Sequence, residues 1–346
     1  MARTDTDADP RPRGLIYALA AIVVLLVVVG LVRLGGDDDS PGTARETVPA
    51  GQPAAGTPSE SASSAGSEPS EPSTPSEPSA TATPEVPRTH AADGHVFGGD
   101  RVLVAYYGTG STGSLGVLGE TDPEAMHRRL QKAARPFRAL GEVQLVYELI
   151  VTVADRSPGP DGAYSHDIPR EVVEEYVEAA RRHHALLVLD VQPGRARFLD
   201  VVKRWEWALR EPHVGLALDP EWRMGPDEVP GSVIGSTGAA EVNAVSGWLA
   251  DLTRRRALPE KVFVLHQFRA AMIRGVNQVV SRPGLAMVQH VDGFGTPRDK
   301  LATYRAVARP RDFTMGFKLF YDEDVPLLSA REVAKIRPRV RFVSFQ

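Results

Sequence analysis

The stretch His213 to Met224, HVGLALDPEWRM, runs from small and apolar residues into Asp219, Glu221 and Trp222. Two carboxylates in one cavity push their pKa values apart, so one can remain a proton donor at neutral pH while the other serves as base, nucleophile or charge stabiliser. Residues two apart on a strand share a face. Asp219 and Glu221 therefore go with Gly215 and Ala217, while Leu216 and Leu218 share the other side. Leucines suit a layer beneath covering helices, which leaves both carboxylates directed toward a barrel axis. Trp222 offers a flat apolar face of the kind a sugar ring stacks on. The competing reading makes Asp219 a loop cap, Glu221 a solvated rim charge and Trp222 a hydrophobic plug.

The elements that would position these groups repeat along the chain. Eight β-rich apolar runs begin at Arg101, Val143, Ala185, Val214, Val262, Leu285, Phe313 and Val340. Helical patterns lie between them, among them TDPEAMHRRLQKAARPF, with Asp122 as N-cap and Pro123 at the first helical position, and IPREVVEEYVEAARRHH, which starts at Pro169. Others are RFLDVVKRWEWALR, AAEVNAVSGWLADLTRRR, PRDKLATYRAVAR and SAREVAKIRP, with a weaker one near RAAMIRG. Eight strands buried on both faces over about 250 residues predict an α/β fold, a (β/α)8 TIM-like barrel. The chain ends at Gln346 without an eighth helix. A doubly wound open sheet is the rival, but YYGTGSTGSLG after the first run has neither the dinucleotide-binding spacing nor a Walker lysine.

In a barrel of this kind the reactive groups sit at the C-terminal strand ends, and polar residues close most of these runs. Asp190 joins Asp219 and Glu221 as a catalytic candidate, and Glu148 falls late in the second run. Trp222, Tyr106, Tyr107, Gln267, His290, Asp292 and Lys318 are candidate substrate contacts. His266, His290 and Asp292 could alternatively hold a catalytic metal. No H-x-H, H-x-x-x-H or H-E-x-x-H spacing accompanies them, so neither a metal nor a cofactor is expected. RRHH, Arg181 to His184, suits a helix C-terminus electrostatically. The segment Arg223 to Gly238 is long enough for a rim lid or substrate wall.

VGLALDPEW resembles the fourth-strand segment of chitinase-type TIM-barrel glycoside hydrolases and of Chalaropsis-type muramidases. In the chitinase pattern D-x-x-D-x-D-x-E the glutamate is the acid and the preceding aspartate orients the substrate's acetamido group; Glu221 and Asp219 match those positions. The earlier aspartates would fall at Val214 and Ala217, and Pro220 is a further departure. The resemblance implies a glycoside hydrolase-like barrel acting on cell-envelope or extracellular glycan, or a catalytically silent barrel that binds such glycan.

Upstream of the barrel, Gly14 to Val32 is an uncharged apolar run of about the ~20 residues that span a bilayer. Arg3, Arg11 and Arg13 flank it on one side and Asp37, Asp38 and Asp39 follow on the other, which places the N-terminus in the cytoplasm. The predicted organisation is a cytoplasmic tail over 1–13, a transmembrane helix over 14–34, a disordered Ser/Pro/Glu-rich linker over 35–95 and an extracytoplasmic barrel over 96–346. A cleaved signal peptide is the alternative, with a shorter apolar core and an A-x-A-like site as its marks. The expected partners are a glycan or other small-molecule or polymeric substrate, and a lipid bilayer through residues 14–34. Net charge is −4 with no basic field, which argues against nucleic acid. Cysteine is absent, so disulfides, thiolate metal sites and cysteine nucleophiles are excluded.

Overall fold

The computed structural model describes residues 88–346. The segments predicted as cytoplasmic tail and membrane span, and the linker up to residue 87, lie outside the described residues. Among the described residues no helix is long and apolar enough to cross a membrane.

Eight parallel strands close into a barrel: β1 (Val102–Thr109), β2 (Val143–Ala154), β3 (Leu186–Val191), β4 (Val214–Leu218), β5 (Lys261–His266), β6 (Leu285–Val291), β7 (Thr314–Leu319) and β8 (Val340–Phe345). Each pairs with the next, and β8 returns to β1 with Leu103 opposite Phe342 and Tyr106 opposite Phe345. The eight apolar runs of the sequence are these strands. They are apolar on both faces because both are covered: Leu216, Leu218, Phe263 and Leu265 join the outer layer under the helices, whereas Val146, Val188, Ala217, Val264 and Val288 fill the inside. Each fully buried side chain of this type contributes on the order of 1.5–3 kcal/mol.

The helices are α1 (Pro123–Ala134), α2 (Arg170–Arg182), α3 (Phe198–Arg204), α4 (Glu206–Leu209), α5 (Ala239–Arg255), α6 (Pro297–Val307) and α7 (Ala330–Val333). Asp122 caps α1 by accepting from the Ala125 amide at 2.9 Å, and Thr296 caps α6 in the same way. The continuous helix expected over RFLDVVKRWEWALR is broken at Trp205, whose indole turns inward to donate to Thr152 Oγ1 on β2. RAAMIRG is not helical. It forms a 3-10 turn, Ala270–Met272, and then a short strand, Ile273–Arg274, that pairs with Thr237–Gly238 from the preceding loop.

The N-terminal end of the barrel is closed by the segment that leads into β1. Val96 is buried among the inner side chains, and its amide donates to Glu260 Oε2 at 2.7 Å. Arg101, also buried, donates to the carbonyls of Thr89 and His90 and to Glu142. With that end closed and apolar, the polar interior lies at the C-terminal end of the strands.

Candidate active site

Period-two alternation along each strand brings Tyr107, Glu148, Asp190, Asp219, His266, His290 and Lys318 to the inside of the barrel, just above the apolar inner layer. All seven are buried, as is Asp292 at the end of β6. Two glycines make room for them. A Cβ at Gly316 would lie 2.5 Å from His290 Cδ2, and one at Gly215 would lie 2.5 Å from the Val262 carbonyl oxygen.

His266 is the hub. Its Nδ1 lies 3.0 Å from Asp292 Oδ2, while Nε2 faces Glu148 Oε1 at 3.3 Å and Asp190 Oδ1 at 3.9 Å without the alignment of a hydrogen bond. Tyr107 donates to Asp190 Oδ2 at 2.8 Å, and Lys318 Nζ rests 3.3 Å from the centre of the Tyr107 ring. His290 stands edge-on to His266 at 5.1 Å and pairs through Nε2 with Ser344 Oγ at 3.1 Å.

Burial and mutual charge spread the proton affinities apart. Burial acts to lower the His266 pKa, but the hydrogen bond with Asp292 and the nearby Glu148 and Asp190 carboxylates outweigh it and hold the imidazole well above its ordinary value. Burial would raise Asp292; the His266 cation overcomes that and lowers it. His290 is pushed well below its ordinary value by burial and then by His266, so it is neutral. Burial raises Asp190, and it raises Asp219 well above the carboxylate range with the Asp190 charge adding to the effect. Glu221 is raised to about 7, by burial first and then by Asp292, against Lys318, His266 and Arg269. A carboxyl that titrates near neutrality is suited to both giving and taking a proton.

Glu221 does not continue the strand. It lies half-buried in a 3-10 turn, Pro220–Trp222, and Asp219 Oδ1 caps this turn by accepting from the Glu221 amide at 3.2 Å. The long loop after β4 fixes the same backbone: Gly235 donates to the Glu221 carbonyl at 2.7 Å, and Ser236 donates to that of Arg223 at 3.0 Å. Arg223 is anchored to Glu241 of α5 at 3.1 Å. Across the mouth, Lys300 of α6 donates to the carbonyls of Gly293 and Lys318 and pairs with Asp324 at 2.9 Å, joining the loops after β6 and β7.

Of the residues singled out from sequence, Tyr107, Asp190, Asp219, His290, Asp292 and Lys318 are brought together, with Glu221 and half-buried Trp222 at the rim. Tyr106 and Gln267 are not. Tyr106 belongs to the outer layer, packing edge-on against Tyr321 and Phe345. Gln267 accepts from Gln289 at 2.6 Å, and Gln289 in turn donates to the Val307 carbonyl of α6. Strand parity explains both placements, since each adjoins an inward residue, Tyr107 or His266. The same parity, applied to every run, adds Ser344 and brings in Glu148, noted from sequence only as a late-strand carboxylate, and His266, considered there only as a metal ligand. RRHH lies elsewhere: His183 pairs with Glu124 at 2.7 Å and stacks on His127, beside a pocket of about 200 Å³. Among the described residues no three histidines or carboxylates converge in an arrangement that could hold a metal ion, so His266, His290 and Asp292 do not form the metal site considered above.

No family model matches the chain, and no curated protein matches it. Among solved structures, the crystal structure of Burkholderia cenocepacia dihydropteroate synthase complexed with 7,8-dihydropteroate is similar at 12% identity and a TM-score of 0.33. The match covers 72% of this chain and 86% of that one. The glycoside hydrolase resemblance, and with it the glycan-cleaving and glycan-binding assignments, is not upheld: no family model and no curated protein ties the chain to glycosidases. The site geometry agrees. Val214 and Ala217, where the chitinase pattern has aspartates, are buried apolar residues, and the additional carboxylates come from other strands as Glu148, Asp190 and Asp292.

Proposed function

We propose that the C-terminal mouth of the barrel is the active site of an enzyme that moves a proton on a small polar substrate. Glu221 exchanges the proton. Asp219 positions Glu221 by capping its turn, and the His266 imidazolium, held protonated by Asp292, supplies an N–H donor for negative charge that develops on the substrate. The observation that carries this reading is the convergence of Glu148, Asp190, Asp219, His266, Asp292 and Lys318 from six strands into one buried layer. Burying unpaired charge costs several kcal/mol per ion, and a fold that needed only a packed interior would place apolar side chains there. Trp222 at the rim is placed to contact the substrate.

The location proposed for this domain is the outer side of a membrane, on a linker that follows the apolar run at 14–34. The test of the function is incubation of the full-length protein with a fractionated small-molecule extract, read by mass spectrometry beside Glu221→Gln. A compound consumed by the wild type and about 10²–10⁴-fold more slowly by the variant is expected. Equal consumption by both proteins would remove Glu221 from the reaction.

A further inference from the structure

The buried layer is unbalanced in donors and acceptors. Glu148 is fully buried, and both of its carboxylate oxygens lack a hydrogen-bond partner. Asp190 Oδ1 and Asp292 Oδ1 are in the same condition, which makes four buried carboxylate oxygens without a donor. The unpartnered nitrogens nearby are His266 Nε2 and His290 Nδ1, one to each ring. Folded proteins satisfy buried acceptors, and the three on Glu148 and Asp190 lie at the adjoining strand ends of β2 and β3 on the Nε2 side of His266, with Asp292 across the ring at Nδ1.

We propose that the substrate of this site carries a protonated amine, received between the carboxylates of Glu148 and Asp190, which share the Nε2 side of His266 at 3.3 and 3.9 Å. The inference rests on the acid–base reading of the mouth and adds the chemical class of the substrate. An ammonium group brings three N–H donors and no acceptor, which complements a layer rich in acceptors. A hydroxyl brings one donor and leaves the charge uncompensated. An anion would meet the Glu148 and Asp190 carboxylates, with His266 already paired to Asp292 and the Lys318 ammonium held against the Tyr107 ring. A divalent metal would need three converging ligands, and none converge among the described residues. Lys318 does not fill the role from within, because its ammonium sits against the face of Tyr107 at 3.3 Å.

The experiment uses three probes of similar size and different charge: ethanolamine, ethylene glycol and glycolate. Each is titrated into the full-length protein by calorimetry and thermal shift. Saturable binding of ethanolamine alone is expected, with a dissociation constant on the order of millimolar for so small a ligand. It should weaken at least tenfold in the Glu148→Gln, Asp190→Asn double variant. Histidine ¹⁵N spectra of the wild type provide a second readout that needs no variant, since the His266 signals should shift with ethanolamine and not with the other probes. Preferential binding of glycolate, equal response to ethylene glycol, or no binding of any probe would overturn the proposal. Binding is read without turnover, so the two readings fail separately. Ethanolamine binding with unimpaired turnover in Glu221→Gln would remove the acid–base assignment alone, and loss of turnover in that variant with glycolate binding would remove the amine alone.

Discussion

The two nitrogens of His266 face carboxylates on opposite sides, Asp292 at 3.0 Å from Nδ1 and Glu148 at 3.3 Å from Nε2. A neutral imidazole donates from one nitrogen only, so this placement favours the doubly protonated ring. The stability consequence has a defined sign. His266, raised above its ordinary 6.5, contributes stability that is complete below that value and is lost as pH rises through the folded pKa. Asp292, lowered below 3.8, contributes stability that is present above that value and is lost as pH falls through the folded pKa. Asp292→Asn should therefore cost about 3–5 kcal/mol near pH 6, because it strands a buried cation, and should flatten both limbs of the stability profile. Denaturant melts across pH provide the check. A variant with wild-type stability at pH 6 would show that the pair is not formed.

Glu221 has the opposite kind of influence. Its pKa is raised from 4.5 to about 7, so the stability it permits is complete below 4.5 and is lost as pH rises through 7. Glu221→Gln should remove that loss and gain on the order of 1–3 kcal/mol over wild type at pH 8, less than the full shift implies because the side chain is half-buried. No gain at pH 8 relative to pH 5 would contradict the burial of its charge.

Gly316 lets β7 approach His290. A Cβ there would lie 2.5 Å from His290 Cδ2 and 3.1 Å from its Cα, so rotation of the imidazole alone does not relieve the contact. Gly316→Ala should destabilise the barrel by about 1–3 kcal/mol and change the His290 ring signals in NMR. Unchanged stability and spectra would show that the strand has room to spare.

Lys300 joins the loops after β6 and β7 through two carbonyls and Asp324, which is itself buried and accepts from the amides of Gly295 and Phe320. Lys300→Met leaves Asp324 unpaired and should cost about 3–5 kcal/mol in a chemical melt. Lys300→Met combined with Asp324→Asn should recover part of that loss. Failure of the second substitution to help would assign the cost to packing.

The barrel was legible in the sequence because strands buried on both faces leave near-continuous apolar runs, and all eight were visible. The site was legible where parity was followed, as at Asp219, and obscured where adjacent residues of similar type occur. Tyr106 beside Tyr107 and Gln267 beside His266 differ only in which face they occupy, so composition does not separate them. Glu221 shows a different limit. Its spacing from Asp219 extends a strand periodicity that Pro220 ends, since proline fixes φ and offers no amide to the ladder, and the chain turns into a 3-10 coil instead. The weak helical pattern near RAAMIRG does not form a helix, because pairing of Ile273–Arg274 with Thr237–Gly238 overrides a weak local preference.

On the proposed function, Glu221 carries an exchangeable proton near neutrality. The most direct measurement is a ¹³C NMR titration of the full-length protein labelled at glutamate Cδ, with Glu221→Gln used to assign the resonance. A midpoint near 7 is the predicted result. A midpoint near 4.5, the ordinary value for glutamate, would contradict the account, because Glu221 would then be a solvated rim charge rather than the proton-exchanging group of the site.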